Sequence, residues 1–153
     1  MAEALAASEF GPWRAFLCNL AGDRHDESSV SILIGLLADP EAKVRNEAVD
    51  ALARIADPRA GAPLLHLLLT EPRIDIRRGV LMALGAVNAR EAVPLLLEYL
   101  RNPDAAQRGG AAWSLGRLGA IEARTELEEA RGRERNAWAS SQMTAALQAL
   151  SAG

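Results

Sequence analysis

Few side chains in this sequence are suited to catalysis or metal binding, and they stand far apart. The two histidines are His25, in a polar stretch, and His66, in an apolar one. A zinc site would need two or three further ligands converging on either of them. The single cysteine, Cys18, follows Leu17 in an apolar pattern where cysteine is usually a small core residue. We therefore expect a protein that is not an enzyme and that has no metal site and no cofactor.

Two runs of charge could contact other molecules. The acidic residues of segment 126–129 are typical of a solvated helix face, and segment 131–135 carries three arginines that could contact phosphates. Glu134 interrupts the arginines, and Glu134, Glu128 and Glu129 should dilute their field. The net charge of −3 and the pI of about 5.4 also argue against long-range attraction to nucleic acid or to an anionic membrane. No phosphate-binding loop, nucleophile elbow or Cys-x-x-Cys is present.

A repeat of 31 or 32 residues organises the chain. It is marked by prolines and arginines at matching positions, namely Pro40, Pro72 and Pro103 and then Arg45, Arg77 and Arg108. Each arginine is followed by apolar residues at helical spacing. Self-similarity at this period indicates stacked pairs of helices, each of which buries its apolar face on the next.

The repeat predicts an all-α fold, a right-handed α-solenoid of about four helix pairs behind an N-terminal capping helix. Residues 1–153 form one domain, with the cap at 1–25, repeats at 28–56, 57–87 and 88–118, and a degenerate repeat at 119–150. The predicted helices cover about 12–20, 29–38, 41–56, 61–70, 75–87, 90–101, 104–118, 121–131 and 135–149. Residues 1–9 are expected to be a lead-in or a short helix.

The second helix of each pair carries a common signature, which runs over residues 44–55, 76–87 and 107–118. In this signature the sequence resembles HEAT-repeat proteins, specifically the short HEAT-like units of phycobiliprotein lyases. The resemblance implies a ladder in which an acidic residue six positions before each arginine pairs between neighbouring units. Asp39 fits this pattern, Glu71 is a longer substitute and Asn102 lacks the charge, so we expect a partial ladder.

The outward positions of the second helices predict a binding surface. Asp50, Met82 and Trp113 are equivalent and should form one row across a concave groove. A methionine and a tryptophan in an outward row, beside arginines, indicate a partner site more often than random surface. The predicted partner-binding residues are Asp50, Arg54, Arg78, Met82, Trp113 and Arg117. Trp113 could instead pack over the fourth unit or contact a small molecule, and we expect Gly109 and Gly110 to clear space beside its indole.

We interpret the protein as a non-catalytic module that binds a peptide or helix of another protein in this groove. Trp113 and Met82 would be apolar anchors, the arginines would pair with acidic groups, and Asp50 would set the polarity at one end. Two alternatives are a bilin lyase-like subunit acting on a phycobiliprotein chromophore, as the resemblance permits, and a nucleic-acid-binding HEAT-like protein. Trp13 and Trp138 are expected to pack within the two end caps, and an exposed cap would favour self-association.

The sequence also bears on compartment. One cysteine allows no intrachain disulfide, which favours a reducing compartment. Residues 1–5 lack a basic region and a long apolar core, so we expect no signal peptide, and no apolar stretch is long enough for a membrane span. We therefore expect a cytoplasmic protein of bacterial origin.

Overall fold

The computed structural model describes Glu3 and residues 10–152, and this part of the chain is a helical solenoid without strands. Its helices are α1 (Gly11–Asp23), α2 (Val30–Leu36), α3 (Ala42–Ile55), α4 (Gly61–Thr70), α5 (Ile74–Ala86), α6 (Val93–Tyr99), α7 (Ala105–Arg117), α8 (Arg124–Arg133) and α9 (Ala137–Ser151). Short 3₁₀ turns precede four of them, at Glu27–Ser29, Pro58–Ala60, Arg90–Ala92 and Ile121–Ala123. The predicted all-α solenoid is confirmed. The expectation for residues 1–9 lies outside the described residues, apart from the helical Glu3.

The helices form two layers. One layer consists of α1, α3, α5, α7 and α9, each packed on the next, and the other consists of α2, α4, α6 and α8, each packed on the helix that follows it. The sequence predicted α1 as an N-terminal capping helix. The structure places α1 at that end of the first layer, where it packs on α3 as α3 packs on α5. We call the layer of α1, α3, α5, α7 and α9 the second-helix layer, because α3, α5, α7 and α9 are each the second helix of a pair.

A shared turn shows that α1 is in register with the repeat. His25, Ala56, Asn88 and Gly119 have positive φ values of 49°, 59°, 59° and 59°. They follow one another at intervals of 31, 32 and 31 residues, and each ends a helix of the second-helix layer. A left-handed residue commonly ends a helix, and glycine adopts this conformation at the lowest cost. His25 therefore has a turn-forming role.

Small residues let neighbouring second helices approach closely. Gly85 lies against Ser114 of the next helix, and a Cβ at Gly85 would come within 2.8 Å of the Ser114 Cα. The Ser114 hydroxyl donates to the Leu81 carbonyl at 2.5 Å and accepts from the Gly85 N–H at 3.2 Å. Gly116 meets the backbone of Ala146 in the same way. The layer is thus held by close backbone contact as well as by its leucine core.

A ladder of ion pairs joins successive units along one edge. Arg45 Nε donates to Glu71 Oε2 at 2.7 Å, and Arg108 Nε donates to Glu134 Oε2 at 2.6 Å. The acidic side chains are nearly buried, with exposed fractions of 1% and 2%. Such pairing between units agrees with the pattern implied by the resemblance. The ladder also has two members absent from the expected one, because it begins in α1 and ends in the fourth unit.

The first of these members is Arg14 on α1, whose Nε donates to Asp39 Oδ2 at 2.8 Å. The second is Glu134, which stands in the loop between α8 and α9. Each acid also receives a backbone N–H at the start of the helix that follows it, as Asp39 does from Glu41 at 2.9 Å. The acids therefore join two units and cap a helix at once.

One rung of the ladder is broken. Asn102 stands where the neighbouring units have an acid, and its Oδ1 keeps the capping role by accepting from Asp104 N at 2.9 Å. Arg77, the matching arginine, has a buried Nε without a hydrogen-bond partner among the described residues. The boundary between α5 and α7 thus lacks the charged clasp that the other boundaries have.

None of the helices within the described part of the chain is long and apolar enough to cross a membrane.

Candidate functional site

A groove crosses the outward face of the second-helix layer. Its middle row consists of Asn19 on α1, Asp50 on α3, Met82 on α5 and Trp113 on α7, which occupy equivalent positions in the register. These positions point away from the core because the buried residues of each helix lie on its opposite side. The groove has a volume of about 600 Å³ and is open to solvent. It is large enough for several side chains of a bound segment.

All six residues that the sequence singled out line this groove, namely Asp50, Arg54, Arg78, Met82, Trp113 and Arg117. Asp50, Arg78 and Arg117 are exposed, and the other three are partly buried. The structure therefore brings the predicted set together on one surface. That these residues bind a partner stays a prediction.

Trp113 stands between two depressions. On one side it lines the groove, where the guanidinium carbon of Arg117 lies 5.2 Å from the centre of its ring. A cation over an indole face at this distance contributes about 0.5–1 kcal/mol at an exposed site. On the other side it borders a crevice of about 190 Å³ between α7 and α9, which Ala145 and Ala149 also line. Trp113 thus borders the fourth unit while its indole remains partly exposed.

The space at Gly109 is used by a different tryptophan from the one expected. Gly109 is buried, and a Cβ there would collide with the ring of Trp138. The expectation that Gly109 clears space beside the Trp113 indole is therefore wrong, because α9 places Trp138 over this position. Gly110 faces Leu81 and the backbone of Arg78.

The arginines of the groove differ in how their charge is compensated. Arg54 Nη1 donates to Asp23 Oδ1 on α1, and its Nε approaches the Asp50 carbonyl at 3.4 Å. The expectation that the Arg54 guanidinium is available to a partner therefore has to be revised, because it is already paired with the Asp23 carboxylate. Arg78 and Arg117 form no ion pair with any residue that the structure describes.

Asp50 gives the groove an electrostatic asymmetry. Reduced hydration within the groove and the nearby Glu47 carboxylate raise the pKa of Asp50, whereas Arg54 and Arg78 act in the opposite sense. The α1–α3 side thus combines a compensated arginine with acidic groups. The α5–α7 side presents Arg78 and Arg117, so positive charge is concentrated there.

The residues considered for catalysis do not form a reactive site. Burial raises the pKa of the Cys18 thiol to about 12, with further contributions from Glu47 and Asp39, so the thiol is neutral and a poor nucleophile near pH 7. His66 is exposed on α4, and His25 lies in the turn after α1. Over residues 10–152 and Glu3, no cluster of three or more His, Cys, Asp or Glu side chains could hold a metal ion.

The basic run at 131–135 differs from expectation in one respect. Glu134 was expected to dilute its positive charge, but the Glu134 carboxylate is turned inward and paired with Arg108. Arg131, Arg133 and Arg135 are exposed, and Arg133 forms a long ion pair with Glu129 at 3.7 Å. This edge lies on the loops and α8, away from the groove.

Exposed aromatic side chains mark both ends of the solenoid. Trp13 stacks on Phe16 with ring centres 5.1 Å apart, and these side chains are 49% and 52% exposed. Trp138 rests on Gly109 and is 40% exposed. The expected packing is therefore only partial for both tryptophans, and self-association through these ends stays a prediction.

Sequence reasoning missed the contribution of α1 to the groove. Asn19 lines the groove beside Asp50, and Asp23 compensates Arg54. A signal for both was present, because Arg14 stands 31 residues before Arg45 and extends the repeat into α1. Aligned on that arginine, Asn19 falls in the row of Asp50, and Asp23 falls in the row of Arg54.

Comparison with known sequences gives one family. The family model described as HEAT repeats matches residues 1–79 and 61–148. Among proteins with curated descriptions, none matches this chain.

Solved structures of similar fold include natural and designed repeat proteins. The complex of CpcE and CpcF of phycocyanin lyase from Nostoc sp. PCC7120 aligns with a TM-score of 0.78 at 22% identity, covering 94% of this chain and 95% of that one. A designed armadillo repeat protein in complex with peptide (KR)4 aligns with a TM-score of 0.71 at 22% identity, covering 97% and 80%. At these identities the likeness concerns the fold.

Proposed function

This chain belongs to the HEAT-repeat family, and we propose that it is a non-catalytic interaction module whose groove holds a peptide or helix of a partner protein. The observation that carries the proposal is Trp113, a partly exposed indole in the wall of the groove with Arg117 over its ring. Core packing alone does not explain a large aromatic side chain at this outward position. Tryptophan and arginine are the residue types that most often dominate binding energy at protein interfaces.

Two structural relatives support a protein or peptide as the occupant. A designed armadillo repeat protein of this fold was solved with a peptide, and CpcE and CpcF were solved as a complex of two protein chains. Repeat solenoids generally bind through the extended surface that stacking creates. Of the surfaces described above, the groove combines apolar side chains with unpaired charge, as interface centres and rims do.

The test compares Trp113→Ala with Trp13→Ala in affinity capture from the native cell extract. A residue that anchors a partner should cost about 2 kcal/mol or more on truncation, roughly a 30-fold loss of affinity. We expect the partner to be retained by wild type and by Trp13→Ala but lost with Trp113→Ala. Trp13 is the matched control because it is an exposed tryptophan on α1 that does not line the groove.

Circular dichroism and thermal unfolding of both variants would show that each remains folded. Equal capture by wild type and Trp113→Ala would mean that the groove is not the binding surface. An equal loss with both variants would mean that the loss is not specific to the groove and would contradict the proposal.

A lyase-like role is the second candidate, and the alignment with CpcE and CpcF over nearly the whole of this chain favours it. In such a role the groove and the Trp113 crevice would contact a tetrapyrrole or the protein that carries it. Incubation with free bilin and with a bilin-bearing phycobiliprotein should then shift the visible absorption band. An unchanged spectrum in both mixtures would remove this candidate.

A further inference from the structure

The charges of the groove indicate which class of peptide it binds. We propose that the groove holds an extended acidic peptide segment with an aliphatic side chain close to its acidic residues. This inference rests on the proposed function, because it names the partner chemistry of the same groove. The argument uses Arg78, Arg117, Trp113 and the crevice between α7 and α9.

The first step concerns two arginines of the groove that form no ion pair with any described residue. Arg78 on α5 and Arg117 on α7 are exposed, line the same groove and have no carboxylate partner within the described residues. A bound carboxylate would gain charge-assisted hydrogen bonds from either guanidinium, and these are stronger than bonds between neutral groups. Arg54 differs from these two arginines, because its guanidinium already donates a hydrogen bond to the Asp23 carboxylate.

The second step concerns what the groove disfavours. Asp50 lies beside Met82 in the row, and reduced hydration together with the nearby Glu47 carboxylate raises the pKa of Asp50 despite the opposing effect of Arg54 and Arg78. A carboxylate placed over α3 would therefore meet like charge, whereas one placed over α5 and α7 would meet arginines. The acidic part of the segment should accordingly lie at the Arg78–Arg117 side of the groove.

The third step concerns the apolar anchor. The crevice beyond Trp113 has a volume of about 190 Å³, and most of its wall is apolar, formed by the indole with Gly116, Ala145, Ala146 and Ala149; Arg117 and Gln142 also line it. Small apolar walls of this kind suit one aliphatic side chain better than a charged one, because a charge would lose its hydration there. The indole forms the common wall of groove and crevice, so one segment can occupy both.

The distance between the acidic site and the crevice sets how far apart the acidic and aliphatic residues of the peptide should be. The acidic site lies across α5 and α7 and the crevice lies between α7 and α9, about one helix-to-helix distance further on. Packed helices are about 8–10 Å apart, which corresponds to about three residues of extended chain at roughly 3.3 Å each. We therefore expect an acidic residue and an aliphatic residue about three positions apart.

The experiment is selection from a random dodecapeptide library displayed on phage. The library is panned on immobilised wild type after depletion on Trp113→Ala, which removes peptides that bind elsewhere. We expect the enriched peptides to be acidic and to carry an aliphatic residue about three positions from an acidic one. The affinity of synthetic copies should fall at least 10-fold with Arg78→Gln or Arg117→Gln and also as salt is raised. Arg54→Gln is the matched control, with a change below about 3-fold, because Asp23 already compensates that charge.

Charge reversal gives a second readout. Panning on the Arg78→Glu/Arg117→Glu variant should enrich basic peptides, provided that its thermal unfolding matches wild type.

The outcomes separate this inference from the proposed function. Enrichment of neutral or basic peptides that depend on Trp113 would overturn the acidic class while leaving the groove as a peptide site. Enriched peptides whose synthetic copies bind wild type and Trp113→Ala with equal affinity, or no enrichment at all, would overturn both.

Discussion

At the scale of single residues, Asn102 shows how the units of the solenoid are joined. Asn102 differs from Asp39, Glu71 and Glu134 by the absence of a carboxylate, and it retains their capping hydrogen bond. The charge is therefore missing from one rung of the ladder although the backbone geometry is kept. Arg77 is left with a buried Nε that has no partner among the described residues.

Asn102→Asp should restore this rung. Asparagine and aspartate have the same shape, and Asp39 shows that the shorter acid reaches its arginine. We expect the free energy of unfolding to rise by about 0.5–1 kcal/mol, the usual range for a partly exposed pair in good geometry. Urea unfolding at pH 7 would measure it. In an Arg77→Gln background the gain should vanish, and a gain that persists there would assign it to another cause.

The left-handed turns allow a second prediction. Ala56 adopts the conformation that Gly119 adopts at the equivalent position, and alanine adopts it at a steric cost. Ala56→Gly should therefore stabilise the fold by about 0.5–1 kcal/mol even though glycine gains more freedom in the unfolded chain. The reverse change, Gly119→Ala, should destabilise it by a similar amount. Thermal unfolding of the two variants would test both signs.

Two residue contacts were not predicted from the sequence. The pairing of Arg54 with Asp23 depends on α1 entering the second-helix layer, and the sequence marks that register only through Arg14. The contact of Trp138 with Gly109 depends on the position of α9. The fourth unit lacks the repeat signature from which the register of α9 could be predicted. The groove residues were predicted because α3, α5 and α7 share one strong repeat.

At the scale of helices, close backbone approach limits which side chains the layer tolerates. A Cβ on Gly85 would meet the Ser114 backbone, and one on Gly116 would meet that of Ala146 at 2.8 Å. Gly85→Ala and Gly116→Ala should each destabilise the fold by about 1–3 kcal/mol, because the helices would have to separate. Gly35→Ala is the control, since nothing lies near that position, and it should be neutral or stabilising. Denaturant unfolding of all three would test this, and equal effects would contradict it.

Most helices could be predicted from their periodicity and from the prolines between them. The helix predicted over 61–70 has the same ends as α4 (Gly61–Thr70), and that over 104–118 exceeds α7 (Ala105–Arg117) by one residue at each end. The predicted helix over 90–101 is instead a 3₁₀ turn followed by the shorter α6 (Val93–Tyr99). Pro94 lies in the first turn of α6, where proline is tolerated because its missing N–H would have no partner within the helix.

At the scale of the whole molecule, the ion-pair ladder makes the free energy of unfolding depend on pH. Hydrogen bonds from Arg108 lower the pKa of Glu134 to about 2 from its ordinary value of 4.5, and those from Arg45 lower the pKa of Glu71. The unfolded chain takes up protons first as pH falls. The stability that Glu134 contributes is therefore fully present above pH 4.5 and is lost as the pH falls towards 2.

We expect the urea midpoint to fall across this interval and to fall less in Glu134→Gln, whose side chain cannot titrate. Unfolding curves at pH 7, 4.5 and 3 would measure the difference. An equal fall in both proteins would assign the acid sensitivity to other carboxylates.

The broken rung has a mechanical consequence. A stack that is stretched from its two ends carries the same tension through every unit boundary, so the boundary with the weakest clasp yields first. That boundary is the one between Arg77 and Asn102, and Met82 and Trp113 lie on its opposite sides. Pulling would therefore open the ladder edge first at this boundary, while the Ser114 hydrogen bonds still join α5 to α7.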